Sequence, residues 1–367
     1  MKILGIETSC DETAAAIVEN GTKIISNVVA SSSDLHQKTG GVIPEVAARE
    51  QMKYIIPVIE EVLNLYSSNE VRSSSANSSR LHSNNKNIDA IAVTVGPGLI
   101  GSLLVGVEIA KTLAYSWNKP IIPVNHLVGH IYANWLDNNN KPEFPTLCLV
   151  VSGGHTELVL MENHGQLKYL GGTRDDAAGE CFDKSARLLG LSAYNGGPAI
   201  AAAAAKFKVR FAKQNLRKQT SSKFKVSLPR PMVNSNDLDF SFSGLKTAIL
   251  REVNKLQTMK QFSNQTIEYL AYELQEAITD VLVAKVLKAI ELYQPKSFLL
   301  AGGVAANQKL REKLTLEIGK EKSEIKLFVP TPKLCTDNAA YIASCAFFNN
   351  HPLPWKKITA DPGLTIV

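Results

Sequence analysis

The chain has 367 residues, 45% of them apolar and 20% charged, with a formal net charge of +6. That is the composition of a globular protein long enough for two domains with separate cores. No run of eighteen apolar residues occurs and no signal peptide opens the chain, so a cytoplasmic protein with no membrane contact is expected. The five cysteines, Cys10, Cys148, Cys181, Cys335 and Cys345, are scattered and form no CxxC pair, which argues against both a disulfide framework and a thiolate zinc site.

In chain order, Ile3 to Ile6 is an apolar run followed by the polar turn Glu7-Thr8-Ser9-Cys10-Asp11-Glu12-Thr13. A second apolar run, Ala14 to Val18, leads to Asn20-Gly21, a strong hairpin signal, and Thr22 to Ala30 completes a three-strand meander. Met52, Ile55, Ile56, Ile59, Val62 and Leu63 follow helical spacing, with Pro57 expected to kink that helix or mark its start. Residues 67–87 are rich in Ser and Asn and read as a surface insertion. Ile88 to Thr94 is an apolar strand ending in Val95-Gly96-Pro97-Gly98, and a helical run follows from Gly101 to Trp117.

The pattern then repeats. Leu147 to Val151 is a strand, Ser152-Gly153-Gly154-His155-Thr156 fills the turn, Glu157 to Met161 is the next strand, and His164-Gly165 marks the hairpin. Later, Lys296 to Leu300 is a strand ending in Ala301-Gly302-Gly303 before a helical run from Ala305 to Ile318. A strand that turns on glycine into a helix points backbone N–H groups and the positive helix end at whatever binds there. The duplication is similar to the two-domain α/β architecture of actin, sugar kinases and heat-shock ATPases, with a central nucleotide cleft. The competing reading is one large doubly wound sheet with unrelated glycine turns. The expected domains are 1–124 together with a C-terminal helix over about 338–367, and 125–337. Lys206 to Lys225 carries eight Lys/Arg and no Asp or Glu, and reads either as a solvated face or as a phosphate-contacting patch.

Several segments bear on chemistry. Asn125-His126-Leu127-Val128-Gly129-His130 sets two imidazoles four residues apart, which on a helix puts both on one face within reach of one metal ion. No Glu follows His126, so the HExxH protease pattern is absent. Asp337, in Cys335-Thr336-Asp337-Asn338-Ala339-Ala340, is the best third ligand; the alternative is that Thr336 or Asp337 simply caps a helix. The two glycines and two hydroxyls of Ser152 to Thr156 suit an anion-binding turn, although no Walker A pattern is present. Asp175, Asp176, Glu180 and Asp183 cluster at a helix start, as solvated acids or as partners of ligand hydroxyls such as a ribose diol. Tyr194-Asn195-Gly196-Gly197-Pro198 makes another glycine turn, and Asp239-Phe240-Ser241-Phe242-Ser243-Gly244 alternates Phe with Ser before a helix.

Together these segments resemble the bacterial-type tRNA N6-adenosine threonylcarbamoyltransferase family, formerly described as O-sialoglycoprotein endopeptidases. The resemblance runs nearly end to end, through ILGIETSCDETAAAIV, GGVIPEVAARE, GPGLIGSLLVG, NHLVGHIYA, VSGGHTEL, DDAAGECFDKSARLLGL, DFSFSGLKTA, AGGVAANQKLR and TDNAAYIA. It implies that His126, His130 and Asp337 bind one divalent ion, iron (Fe2+) or zinc (Zn2+). It implies that Val150, Val151, Ser152, Gly153, Gly154, Asp183, Gly196 and Asn307 hold the adenylate of the substrate. The implied donor is threonylcarbamoyl-adenylate, supplied by a separate adenylate-forming enzyme, and the acceptor is the adenosine 3′ of the anticodon in tRNAs reading codons that begin with A. The implied partners are tRNA, an inactive paralogue subunit and a small ATPase. Glu12 lies in a turn where a carboxylate could orient or deprotonate the attacking amine. Two positions depart from the family pattern: Gln51 stands where His is usual, and Asn195 where Pro usually precedes Gly-Gly-Pro. The rival readings are a metalloendopeptidase, a kinase or carbamoyl-phosphate-type transferase on the same fold, and a non-catalytic nucleotide-binding partner subunit.

Overall fold

The computed structural model describes residues 1–70, 87–137, 141–213, 226–320 and 324–367. Residues 71–86 of the Ser/Asn-rich segment and residues 214–225 of the basic segment Lys206 to Lys225 lie outside the described residues.

Strand β1 (Lys2–Glu7) is buried at every residue after Lys2, as a central strand must be. It pairs antiparallel with β2 (Glu12–Glu19), which pairs antiparallel with β3 (Lys23–Ser31). The β2–β3 hairpin turns on Asn20 (φ 52°) and Gly21 (φ 70°), the positive-φ pair for which Asn-Gly is suited. On its other side β1 pairs parallel with β4 (Ala90–Gly96), and β4 pairs parallel with β5 (Ile121–Asn125). The sheet order is β3-β2-β1-β4-β5. The second sheet consists of β6 (Thr146–Val151), β7 (Thr156–Asn163), β8 (Gln166–Gly172), β9 (Ser297–Ala301) and β10 (Lys326–Phe328). Its order is β10-β9-β6-β7-β8, with β6, β9 and β10 running parallel. Each sheet is thus a three-strand meander extended by two parallel strands. This is the duplicated actin-like α/β fold expected from the sequence, and two separate five-stranded sheets rule out one large doubly wound sheet.

The chain divides into two compact units, one of Met1–Glu143, Met161–Leu167 and Pro330–Val367, the other of Phe144–Leu160 and Lys168–Val329. The first unit therefore runs past the boundary expected at 124, and it takes the chain back at Pro330 rather than at 338. In that unit, helices α1 (Ser33–Thr39), α2 (Pro44–Glu70), α3 (Ile100–Trp117) and α4 (His126–Tyr132) follow the strands. Helix α2 neither starts nor stops at Pro57. It begins at Pro44, where a missing N–H is harmless, and Ile55, Ile59, Val62, Leu63 and Tyr66 bury a stripe on both sides of the internal proline. In the second unit, α5 (Ala178–Leu188), α6 (Gly196–Lys213), α7 (Ser243–Thr258), α8 (Asn264–Tyr293) and α9 (Gln308–Lys320) surround the sheet strands. A short helix α10 (Pro332–Cys335) precedes α11 (Ala339–Phe348).

The helix expected over about 338–367 is only α11; beyond Asn349 the chain is irregular apart from one turn of 3-10 helix at Trp355–Lys357. Pro352 and Pro354 explain the stop, since each disfavours helical geometry at its predecessor and supplies no N–H. Among the described residues no helix is long and apolar enough to cross a membrane.

Helix α11 is buried from Ala339 to Ala346 and lies directly on β1. The contact is so close that a Cβ on Gly5 would stand 2.3 Å from the Ala339 carbonyl oxygen and 3.0 Å from the Ala343 nitrogen. Gly5→Ala should therefore push the helix outward and destabilise the protein by about 1–3 kcal/mol, the usual cost of overpacking. Thermal unfolding of the variant against the parent checks this, and an unchanged midpoint would mean that the helix can step back freely.

Candidate functional site

Helix α4 follows β5 without a loop. Asn125 caps it, its Oδ1 accepting from the N–H of Leu127 (2.9 Å) and of Val128 (3.2 Å). This cap places His126 in the first turn and His130 one turn later on the same face, with ring centroids 4.6 Å apart. Gly129, which by propensity weakens a helix, is required here by packing: a Cβ would stand 2.8 Å from Ile342 Cδ1 and 3.0 Å from the Tyr341 ring. Its absence lets α4 seat on α11 and brings the histidines to Asp337.

Asp337 is not the cap of α11. Asn338 is, accepting from the N–H of Ala340 and Tyr341, which leaves the Asp337 carboxylate free to face the imidazoles. Asp337 Oδ1 lies 3.3 Å from His130 Nε2 and 3.7 Å from His126 Nε2, and the ligand atoms of all three residues fall within 4.8 Å of one another. Donors on a tetrahedral ion with bonds of about 2.0–2.1 Å are roughly 3.4 Å apart, so these separations suit a shared cation. His130 Nδ1 is buried and makes no hydrogen bond among the described residues, while Nε2 faces Asp337, which fits a ring held for a ligand role better than a core polar group. The group is consistent with a metal-binding site.

The electrostatics are those of a compact buried cluster. Burial alone would lower His126, but Glu7 and Asp337 outweigh it and hold the imidazole up to about 9. His130 is lowered, by burial and by its neighbour His126. Burial opposes the ionised form of Asp337, yet the two histidines prevail and bring it down to about 2. Glu12, which begins β2, is pushed up to about 9 by burial and by Asp11 and Asp337, and its Oε1 accepts from Ser31 Oγ at 3.1 Å. Burial likewise raises the Cys10 thiol far above its ordinary range.

Two residues of this unit, Glu7 and Ser9, carry no role in the sequence reading. Glu7 and Ser9 face His126 Nδ1, at 3.0 Å from Glu7 Oε2 and 3.2 Å from Ser9 Oγ. Gln51, a departure from the family pattern, is buried, and its Nε2 is within hydrogen-bonding distance of the carbonyls of Thr8 (3.3 Å), Cys10 (3.0 Å) and Glu12 (3.1 Å). It pins the turn that carries the polar run. The sequence signal for Glu7 was a carboxylate at the end of an otherwise apolar strand, a costly place for an unpartnered charge.

In the second unit the other expected residues form a connected series. Val150 and Val151 end β6 and are fully buried, so only their backbone is on offer. The turn after them closes through Ser152 N–H to His155 O (2.8 Å) and His155 N–H to Ser152 Oγ (3.2 Å). Gly153 and Gly154 have open space where side chains would be. Helix α5 begins against this turn, with Gly179 N–H on Ser152 O and Ala178 N–H on Thr156 Oγ1. Asp183, raised by burial, accepts from the Gly196 N–H at 2.6 Å and so ties α5 to the start of α6. Asn195 adopts φ 55°, which a proline ring locked near −65° could not, so the departure changes the turn itself. Asn307 caps α9 through Leu310 N–H, and its Nδ2 donates to Gln275 Oε1 at 3.3 Å.

The remaining acids have structural partners. Asp175 accepts from Ser241 Oγ, Ser243 Oγ and the N–H groups of Phe242 and Ser243, fixing the Phe/Ser turn while Phe240 and Phe242 are buried. Asp176 and Glu180 pair with Lys184.

Comparison with known proteins assigns these features a family. The family model for tRNA N6-adenosine threonylcarbamoyltransferase matches residues 23–344. A curated protein of that name from Syntrophomonas wolfei is 50% identical over 95% of this chain and 92% of its own length. One from Dehalococcoides mccartyi is 49% identical over 95% of this chain and 93% of its own, and one from Thermomicrobium roseum is 47% identical over 100% and 95%. The chain belongs to the tRNA N6-adenosine threonylcarbamoyltransferase family.

Proposed function

We propose that this chain transfers the threonylcarbamoyl group of threonylcarbamoyl-adenylate to the N6 amine of the adenosine 3′ of the anticodon in tRNAs reading codons that begin with A, releasing AMP. The observation that carries the reading is family membership over nearly the whole chain, joined to a His126–His130–Asp337 cluster of metal-ligand character. The same membership weighs against the metalloendopeptidase, kinase and scaffold readings. The proposed compartment is the cytoplasm, where tRNA is modified.

A divalent ion, Fe2+ or Zn2+, held by His126, His130 and Asp337 would supply Lewis-acid stabilisation to charge developing on the carbamate carbonyl. The turn Ser152-Gly153-Gly154 presents backbone amides with no side-chain crowding, suited to the phosphate of the adenylate. In this reading Val150 and Val151 contribute backbone, Gly196 and Asn307 shape the nucleoside pocket, and the free oxygen of Asp183 meets a ribose hydroxyl. Holding the adenylate in this way positions AMP as the leaving group. Glu12 is the proposed base or orienting group for the N6 amine; its raised proton affinity derives from burial and nearby carboxylates, and a cation beside Asp337 would offset part of that repulsion.

The inactive paralogue is assigned to the apolar face of the first unit, where Met52 and Ile56 on α2 and Ile100 and Leu104 on α3 are exposed at helical spacing. The small ATPase and the adenylate-forming enzyme complete the proposed system.

The test is reconstitution with unmodified tRNA, threonine, bicarbonate, ATP, the adenylate-forming enzyme and the partner proteins, with modified nucleosides read by mass spectrometry. The parent should form threonylcarbamoyladenosine, and His126→Ala should lose at least about 100-fold in rate, the scale of one electrostatic contribution to a transition state. No product with the parent, under conditions where a known transferase works, would sink the proposal. Glu12→Gln in the same assay should slow transfer on the order of 10²–10⁴-fold if Glu12 acts as the base. Full activity in that variant would remove Glu12 from the chemistry.

A further inference from the structure

We propose that Glu7 is the positioning residue of the metal site: its carboxylate accepts the Nδ1–H of His126 and so turns the Nε2 lone pair toward Asp337 and His130. This rests on the metal reading above and adds a residue to it.

The geometry is specific. Glu7 is fully buried at the end of β1, with 0% exposure, yet both of its carboxylate oxygens meet hydrogen-bonding partners. Oε1 accepts from the Ser9 N–H at 2.5 Å, and Oε2 accepts from Thr94 Oγ1 at 2.6 Å. The same Oε2 stands 3.0 Å from His126 Nδ1. The carboxylate is therefore locked by the backbone of its own turn and by a hydroxyl from β4, and Oε2 also faces the imidazole. A fully buried carboxylate is expensive to keep unless its oxygens are hydrogen-bonded, as these are. An imidazole whose Nδ1–H is held by a carboxylate has its tautomer and ring plane fixed, and its other nitrogen becomes a more basic ligand. The opposite nitrogen, Nε2, is the one that lies 3.7 Å from Asp337 Oδ1.

His130 has no such support. Its Nδ1 is buried and makes no hydrogen bond among the described residues. His126 is thus the oriented ligand of the pair, and Glu7 is what orients it. Ser9 Oγ is the other neighbour of Nδ1, at 3.2 Å, and as a hydroxyl it can either donate or accept. The two candidates make different predictions.

Replacing Glu7 by Gln keeps the volume but makes one end of the group a donor. If the amide nitrogen takes the Oε2 position it confronts Nδ1 and favours the tautomer with hydrogen on Nε2. If it takes the Oε1 position it confronts the Ser9 N–H. The first arrangement blocks the ligand nitrogen directly, and the second displaces the side chain that orients it.

The experiment is a zinc titration of full-length, chelator-stripped protein against a chromophoric chelator, with unfolding of the metal-free forms measured in parallel. The parent should bind one Zn2+ and His130→Ala should lose it; equal binding by both would overturn the metal reading itself. With that reading standing, Glu7→Gln should weaken Zn2+ binding about 10–100-fold, the usual effect of removing such a hydrogen-bond partner. Affinity equal to the parent in Glu7→Gln, or a loss confined to Ser9→Ala, would overturn the assignment of Glu7. If Glu7→Gln does not fold, ¹⁵N NMR of the zinc-loaded parent decides. His126 should then show a protonated, strongly hydrogen-bonded Nδ1 and a zinc-bound Nε2, and zinc on Nδ1 would refute the proposal.

Discussion

The arrangement of the first unit depends on how closely α11 can approach the elements beneath it. On β1 the space is made by Gly5, and on α4 by Gly129; at both points a single added carbon would meet an atom at 2.8 Å or less. Tight packing of this kind gives many small dispersion contacts and leaves little freedom to slide. Because Asp337 immediately precedes the cap of α11 and both histidines lie on α4, that packing sets the separation between carboxylate and imidazoles. The chemistry of the cluster therefore follows from two places where the sequence has no side chain at all.

Charge is distributed around this frame in a consistent way. Glu7 at the end of β1 and Asp337 before α11 approach His126 from different elements, and their combined effect overcomes the burial that would otherwise disfavour its cation. His130 feels the same two carboxylates but is lowered instead, because burial and the neighbouring His126 outweigh them. Two imidazoles on one helix face are thus shifted in opposite directions, by the balance of burial, nearby carboxylates and the other ring.

Much of this was legible in the sequence. The repeated strand–turn–strand grammar predicted the repeated strand order, because hairpin signals such as Asn20-Gly21 and apolar runs such as Ile3 to Ile6 act locally. The four-residue spacing of His126 and His130 was enough to place them on one helical face. The less legible part was non-local. That α11 stops at Phe348 depends on prolines several residues on, and that α2 runs through Pro57 depends on a buried stripe spanning the break. Gly129 is a poor helix residue by propensity, and the reason for it, packing against Ile342, lies far away in sequence. The four clustered acids left two readings open, solvated acids or partners of ligand hydroxyls, and neither anticipates that Asp175 meets Ser241 and Ser243 once the chain has folded back.

Gln51 and Asn195 show how a departure from a family pattern acquires meaning. Gln51 is a buried amide whose Nε2, with two N–H donors, reaches three carbonyls of the Thr8–Glu12 turn, one N–H being shared between two of them. Asn195 supplies a left-handed residue that proline cannot, directly before the Gly196 N–H that binds Asp183. Both substitutions act on backbone that carries a proposed site residue, Glu12 in one case and Asp183 in the other. The two sites are thereby held through their supports, Gln51 fastening the turn that leads into Glu12 and Asn195 setting the turn that delivers the Gly196 N–H to Asp183.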